Sequence, residues 1–174
     1  MKTLIKIFAV VLLFVSYTSC DELDELTEID FDTTLNEQLN VTVPAGEGLM
    51  LNETMLINLI NSDTEDYLDV LQDVSITSFS YQLLNFTGDV NGTIVGNFVA
   101  DGVQLLPHDM VVKQTVDAGT VFEVTNVSQL NAIAADLKAG DDVLIGIVGE
   151  SSCEEAMNFT IALTLDLEIT ADVL

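Results

Sequence analysis

The last part of the chain alternates between apolar and polar side chains with a period of two. Apolar residues occupy every second position from Phe159 to Ile169, and the positions between them carry small, hydroxylated or acidic side chains. Because successive side chains of a β-strand point to opposite faces, this pattern predicts a long strand with one buried and one solvated face. Such a strand is typical of an antiparallel sheet that packs on one side only.

Shorter runs of the same kind recur along the chain and are separated by residues that favour turns. In the run 74–86 the apolar positions change parity, so a continuous inward face requires a β-bulge near Ser78. The segments predicted as strands are 29–31, 39–43, 55–60, 74–86, 94–100, 110–116, 120–124, 143–148 and 159–169.

Two segments have helical patterns instead. Ser62 and Glu65 have the spacing of a capping box and predict a short helix. A clearer helix begins at Asn126 or Ser128 and ends near Lys138 and Gly140. Its apolar residues recur at spacings of three and four, namely Leu130, Ile133, Ala134 and Leu137.

These elements predict a mainly β fold. Short strands with polar outer faces, turns and two short helical connections favour an antiparallel β-sandwich of the Greek-key, immunoglobulin-like type. An open β-barrel is the alternative. The length of 174 residues and the hydrophobic content of 49% suit one domain, which we place at residues 29–174.

The charge of the chain excludes several classes of partner. There are 29 acidic residues, four lysines and no arginine, which gives a formal net charge of −25. Binding of nucleic acid requires clustered cationic side chains, and anionic lipid headgroups require them as well. We therefore expect no nucleic-acid partner, whereas a cation, a neutral glycan or a basic protein remains electrostatically compatible.

The beginning of the chain has the order of an export signal. Lys2 and Lys6 precede an apolar run at 7–15, and small or polar residues then lead to Cys20. The run is too short to span a membrane permanently. The segment resembles bacterial lipoprotein signals, in which signal peptidase II cuts before a lipid-modified cysteine. The resemblance implies a signal peptide at 1–19 and acylation of Cys20, whose diacylglycerol would attach the chain to a lipid bilayer.

Two details of this segment resemble the lipoproteins of Bacteroidota. Tyr17 stands where leucine is usual, as in the looser lipoboxes of that phylum. The acidic tract after the cysteine is similar to the export signals that send such lipoproteins to the outer face of the outer membrane. Its members are Asp21, Glu22, Asp24 and Glu25. The resemblance implies a surface location, with the periplasmic face as the alternative. Residues 20–28 are acidic and have no strand or helix pattern, which predicts a lipid-anchored tether.

Catalysis is not expected from these residues. The one histidine, His108, stands beside Asp109 after Pro107, which predicts a solvated loop without the geometry of a catalytic triad. No G-x-S-x-G motif accompanies it. One histidine and Cys153 are too few for the usual zinc ligands.

We expect no cofactor, and calcium is the alternative, since it binds six to eight oxygen ligands from carboxylates and carbonyls. Candidate ligands lie around the first predicted helix and after Gly140, and neither group has the spacing of an EF-hand. They are Asp63, Glu65, Asp66 and Asp69 in the first group, and Asp141 and Asp142 in the second.

The sequence therefore predicts a non-catalytic interaction module on a lipid anchor. We expect recognition of an extracellular protein or glycan by the loops at 87–92, 101–109 and 149–156, because loops on a rigid scaffold carry most binding residues. The alternative is a lipoprotein that binds calcium or a small ligand through its acidic loops.

Overall fold

The computed structural model describes residues 27–173. All strand pairs in this part of the chain are antiparallel. The strands are β1 (Glu28–Val43), β2 (Gly46–Ile57), β3 (Leu71–Thr87), β4 (Thr93–Ala100), β5 (Val103–Val111), β6 (Val121–Glu123), β7 (Val143–Cys153) and β8 (Met157–Asp172). The helices are a 3₁₀-helix (Leu68–Val70), α1 (Val112–Asp117) and α2 (Val127–Lys138).

The strands form two sheets of four strands each. Sheet A has the order β1-β8-β3-β6 and sheet B has the order β2-β7-β4-β5. In strand order, the two members of each pair are equally far from the β4–β5 hairpin, one before it and one after it. The pairs are β4–β5, β3–β6, β2–β7 and β1–β8. This wrapping of one long antiparallel ribbon into two sheets is a jelly roll, which contains two Greek keys. The structure confirms the antiparallel sandwich of Greek-key type rather than the open barrel.

Strand β8 is the centre of sheet A. It pairs with β1 along all 16 of its residues and with β3 on its other side. Its inner side chains are almost fully buried, with Ile161 and Leu165 at 0% exposure. The predicted alternation is therefore confirmed, and it extends at both ends to Met157 and Asp172.

The predicted bulge in β3 is also confirmed. The register between β3 and β8 shifts between Ile76 and Ser78, and the shift turns Phe79 and Tyr81 into the core, where both are 2% exposed. The ring of Tyr81 then stacks on Phe98 of sheet B with a centroid distance of 3.9 Å. The bulge thus supplies aromatic contacts that join the two sheets.

Helix α2 closes one side of the sandwich. The Asn126 side chain caps it by accepting hydrogen bonds from the N–H groups of Ser128 and Gln129. Its four predicted apolar residues are all buried, and the helix packs on β3, whose partner β6 is only three residues long. No helix in the described residues is long and apolar enough to cross a membrane.

Several local predictions of secondary structure are wrong. The strand predicted at 110–116 is the end of β5 followed by α1, in which Thr115 donates a hydrogen bond to the Val111 carbonyl and Lys113 pairs with Asp117. The loop predicted at 101–109 is a tight turn at Asp101 and Gly102 followed by β5. Both residues of this turn have positive φ, as a two-residue hairpin of type I′ requires.

A third wrong prediction is the helix after Ser62. This segment consists of turns and the short 3₁₀-helix. Asn61 is the residue that organises it, since its side-chain oxygen accepts hydrogen bonds from the N–H groups of Asp63 and Thr64. An Asn side chain that bonds to nearby backbone favours a turn over a helix.

The strands of both sheets run between two ends of the sandwich. We call the end that contains Thr27, the 58–70 loop and the 101–102 turn the proximal end. The end with the connections 44–45, 88–92 and 154–156 is the distal end. Strand β1 begins at the proximal end and reaches the distal end at Val43.

Gly146 lies where β7 passes close to β2. A Cβ atom there would be 2.1 Å from the Glu53 carbonyl oxygen and 2.6 Å from the Thr54 Cα atom. We predict that Gly146→Ala lowers the free energy of unfolding by about 3 kcal/mol or more, because backbone atoms cannot move aside cheaply. The measurement is urea unfolding followed by circular dichroism.

Gly48→Ala is the matched control for this substitution. Gly48 has a φ of +60° and nothing within 4 Å of an added Cβ, so only backbone strain of about 1–2 kcal/mol is expected. A loss at Gly146 no larger than the loss at Gly48 would contradict the close approach of β7 and β2.

Candidate functional site

Parts of two of the three segments predicted to carry recognition meet at the distal end. In the segment 149–156, residues 149–153 are strand β7 and only 154–156 form a loop, contrary to the prediction. Residues 88–92 connect β3 to β4, and residues 154–156 connect β7 to β8. A Cβ atom on Gly88 would lie 2.1 Å from the Ala156 carbonyl oxygen, so the two loops are in direct backbone contact. We call residues 88–92 and 154–156 the distal loops. The third predicted segment, 101–109, begins at the proximal end and is mostly strand β5.

Asp89 holds the distal loops together. Its carboxylate accepts hydrogen bonds from the backbone N–H of Asn91 at 2.8 Å and of Glu154 at 2.5 Å. Together with Glu155, these backbone donors hold the pKa of Asp89 below its usual value, because they stabilise the ionised form. Asp89 is therefore an ionised brace between two loops.

A cleft of 640 Å³ opens beside this brace. It lies between the distal loops and the corner where β1 turns into β2. Its lining consists of carboxylates, hydroxyls, an amide, a buried thiol and exposed backbone. The lining residues are Ala45, Gly46, Glu47, Asp89, Asn91, Thr93, Ser152, Cys153 and Glu154.

Several lining groups are already fixed by hydrogen bonds. The Ser152 hydroxyl accepts a hydrogen bond from the Gly48 backbone at 3.0 Å, and the Cys153 thiol lies 3.2 Å from the Pro44 carbonyl. Glu47, Asn91 and Glu154 are exposed. The cleft thus combines a rigid wall with exposed hydrogen-bond acceptors, which suits a ligand that donates hydrogen bonds or carries positive charge.

His108 is not in a solvated loop, contrary to the prediction. It belongs to β5 and is 8% exposed. Its Nε2 atom makes a short hydrogen bond with the Tyr81 hydroxyl, and its ring lies edge-on to Phe122 at a centroid distance of 4.7 Å. Since β5 belongs to sheet B and β3 to sheet A, this pair joins the two sheets inside an aromatic cluster. The alternation of Leu106, His108 and Met110 could have predicted this placement, since these three side chains lie on the inner face of β5 while Pro107 and Asp109 are exposed.

The predicted calcium ligands do not converge. Asp63, Glu65, Asp66 and Asp69 are all exposed along the 58–70 loop, and Asp63 accepts a hydrogen bond from Thr33. Asp142 accepts one from Asn58. Among residues 27–173 no group of three or more His, Cys, Asp or Glu side chains is placed to hold a metal ion.

The residues predicted to direct export and lipidation cannot be placed. Cys20, Asp21, Glu22, Asp24 and Glu25 lie outside the described residues.

A second groove gathers carboxylates that the sequence did not single out. On the outer face of sheet A at the proximal end, a groove of 480 Å³ is lined by Asp30, Asp32, Asp73 and Glu168 among others. Asp32 and Glu168 are direct register partners, an arrangement that is destabilising for like charges. Acidic residues alternate with apolar ones on β1 and β8, and β3 adds Asp73, so the groove can be recognised only when the sheet order is known.

Burial lowers the pKa of His108 below its usual value of 6.5, so the ring is neutral at pH 7. On acidification from pH 7 to pH 5, the unfolded chain takes up this proton before the folded chain does. The contribution of His108 to the free energy of unfolding is therefore present at pH 7 and decreases as the pH falls.

We predict that the stability difference between the wild type and His108→Gln becomes smaller between pH 7 and pH 5. The measurement is the urea midpoint of both proteins at several pH values. The carboxylates titrate in both proteins and cancel in the comparison. A difference that does not change with pH would show that His108 is not buried as a neutral ring.

Comparisons with known proteins identify no family. No protein-family model matches the sequence, and no curated protein matches it. Among solved structures, the chain is similar to a decameric BFDV capsid protein, with 12% identity, a TM-score of 0.40 and coverage of 81% of this chain and 99% of that chain. It is also similar to a chain of Desmodium yellow mottle tymovirus, with 13% identity, a TM-score of 0.41 and coverage of 84% of each chain.

Proposed function

We propose that this chain is a lipid-anchored, non-catalytic binding module that presents its distal loops and cleft to extracellular partners. The observation that supports this most directly is the placement of the two ends. The described chain enters the sandwich at Thr27, at the proximal end, and the cleft lies at the opposite end. An anchor at Cys20 would thus leave the cleft facing away from the membrane.

The dimensions agree with this orientation. The seven Cα–Cα steps from Cys20 to Thr27 span at most about 25 Å when fully extended. Strand β1, with 16 residues, carries the chain a further 50 Å or so towards the distal end. A partner approaching from outside the cell would meet the distal loops first.

The charge distribution supports the same orientation. Carboxylates on the outer face of sheet A are concentrated at its proximal end, where Asp30, Asp32 and Glu168 line the acidic groove. Like charges repel this end from anionic headgroups, so the domain would stand away from the bilayer instead of lying on it. Removal of a signal peptide with Lys2 and Lys6 would change the net charge from −25 to −27 and strengthen this effect.

The lining of the cleft defines the class of partner. Glu47 and Glu154 are exposed, and Asn91 and Thr93 add an amide and a hydroxyl. A basic protein segment satisfies such acceptors through charge-assisted hydrogen bonds. A hydroxyl-rich glycan satisfies them through neutral ones, but no aromatic ring lines the cleft for a sugar to stack on. We therefore favour a basic protein segment, with nucleic acid excluded by charge.

The proposed absence of catalysis rests on the surroundings of the titratable groups. His108 is buried against Tyr81 and Phe122, so it does not face a nucleophile. Asp89 is occupied as a brace for the distal loops. The buried Cys153 thiol contacts a backbone carbonyl, which gives it no activating base.

We predict that Cys20→Ser abolishes membrane attachment, because a protein without acyl chains has no anchor. The measurements are membrane fractionation, intact mass of the wild-type protein and protease shaving of whole cells. A lipid mass on Cys20 and loss of the protein on shaving are the expected results for the wild type. A wild-type mass without lipid, with unchanged fractionation of the variant, would contradict the anchor.

A second test addresses the binding surface. We predict that a photo-reactive residue at Asn91, beside the cleft, forms covalent adducts with a partner on intact cells. Asn131 on α2 is the matched control, since it is also an exposed Asn but lies away from the distal end. Adducts from both positions, or from neither, would show that the distal loops are not the binding surface.

A further inference from the structure

The two sides of the sandwich protect their edge strands differently. On one side, β5 contains Pro107 and its pairing with β4 shifts register between Phe98 and Val99. On the same side β6 has only three residues, and α2 packs against β3. Proline, bulges, short strands and covering helices all prevent an edge strand from pairing with another chain. These features protect the edge strands on this side from pairing with another chain.

The other side is formed by β1 and β2, which are the outermost strands of sheets A and B. They have 16 and 12 residues, and neither contains a proline or a lysine. The register shift in β2 lies between Gly46 and Leu49, at its distal end. The 58–70 loop packs against β1 only at its proximal end, where Tyr67 contacts Phe31 and Asp63 contacts Thr33. The stretches 35–43 of β1 and 49–57 of β2 pair on one side only, with β8 and β7.

Each open stretch contains one carboxylate at a position that belongs to the inner face. Glu37 lies between Leu35 and Leu39, and its register partner is the buried Leu163. In β2, Glu53 is opposite the buried Ile147. Glu37 is exposed and Glu53 is half-buried, so both carboxylates reach water through the open edge.

We propose that the open edges of β1 and β2 form a latent self-association surface, and that Glu37 and Glu53 keep this surface closed to a second copy of the chain. A strand added to the edge of β1 would exclude water from Glu37, and a strand added to the edge of β2 would exclude water from Glu53. Burial of an unpaired carboxylate costs far more free energy than a few backbone hydrogen bonds return.

Symmetry makes a second copy the relevant partner. Two copies of one chain associate most simply about a twofold axis, in which the same patch meets itself. Glu53 is the midpoint of the open stretch 49–57, so centred antiparallel pairing of two β2 strands places one Glu53 directly opposite the other. Like charges in this position are destabilising. The carboxylate therefore opposes self-pairing by repulsion as well as by desolvation.

The test compares two double variants that remove the same charge. Both use the chain from residue 20 with Cys20→Ser, which contains every described residue. One carries Glu37→Gln and Glu53→Gln, and the control carries Glu65→Gln and Glu150→Gln at exposed positions in the 58–70 loop and on β7. Sedimentation velocity over a range of concentrations measures dimer formation.

We expect the Glu37/Glu53 variant to dimerise at least about tenfold more tightly than the control and the wild type, because like-charge contacts of this kind cost several kcal/mol. Hydrogen exchange should then show new protection in 35–43 and 49–57. Equal association of both variants, no change in either, or protection elsewhere would overturn the proposal.

A third variant tests whether an ionised side chain of either sign prevents association, and whether substitution at these two positions disturbs folding. Glu37→Lys with Glu53→Lys keeps an ionised group at each edge and should remain monomeric, with a circular dichroism spectrum like that of the wild type. If the Lys variant associates as readily as the Gln variant, hydrated charge does not close the edges and the proposal is wrong.

Discussion

The burial of one face of β8 between its two neighbours fixes the arrangement of the whole sandwich. Its inner side chains are 0–2% exposed from Ile161 to Ile169, so a slip of one residue against either neighbour would expose all of them and bury polar groups instead. The outer face adds a second determinant of register, because hydroxyls and Asx side chains form hydrogen bonds between β1 and β8. These bonds join Thr42 to Asn158, Thr160 to Asn40, Thr164 to Asn36, Thr34 to Asp166 and Thr170 to Asp30. With β1 and β3 on either side of β8, the remaining strands complete the jelly roll.

This arrangement explains how much of the fold could be predicted from the sequence. β8 and α2 were predicted correctly because each has a strong period, two in the strand and three to four in the helix, and each buries the face that its period defines. The bulge at Ser78 followed from a change of parity. The segment 110–116 was mistaken for a strand because valines and a threonine favour strands, whereas the local bonds of Thr115 and Lys113 hold it as α1. Such a competition between local bonds and strand propensity cannot be resolved from composition.

Less of the candidate site could be predicted from the sequence. Residues 88–92 and 154–156 lie in segments that were predicted as loops, but residues 149–153 of the second segment belong to β7. The contact of the two loops through Asp89 depends on β3 and β7 ending at the same end of the sandwich. The environment of His108 depends on Tyr81 and Phe122, which belong to the other sheet. The acidic groove requires β1, β8 and β3 to be neighbours. Each of these features joins residues that are distant along the chain, so none leaves a local pattern.

The proposed lipid anchor and the proposed protection of the open strand edges are physically related. A lipid anchor confines its protein to a surface, where the effective concentration of a second copy is far higher than in solution. Backbone pairing between open edges does not depend on sequence and becomes more favourable under this confinement. A module that offers its distal loops to a partner must remain accessible, and strand addition along β1 and β2 would link copies side by side. Carboxylates at Glu37 and Glu53 oppose this association while leaving the distal cleft untouched. On this basis, the position of individual acidic residues matters more to function than the total charge of the chain.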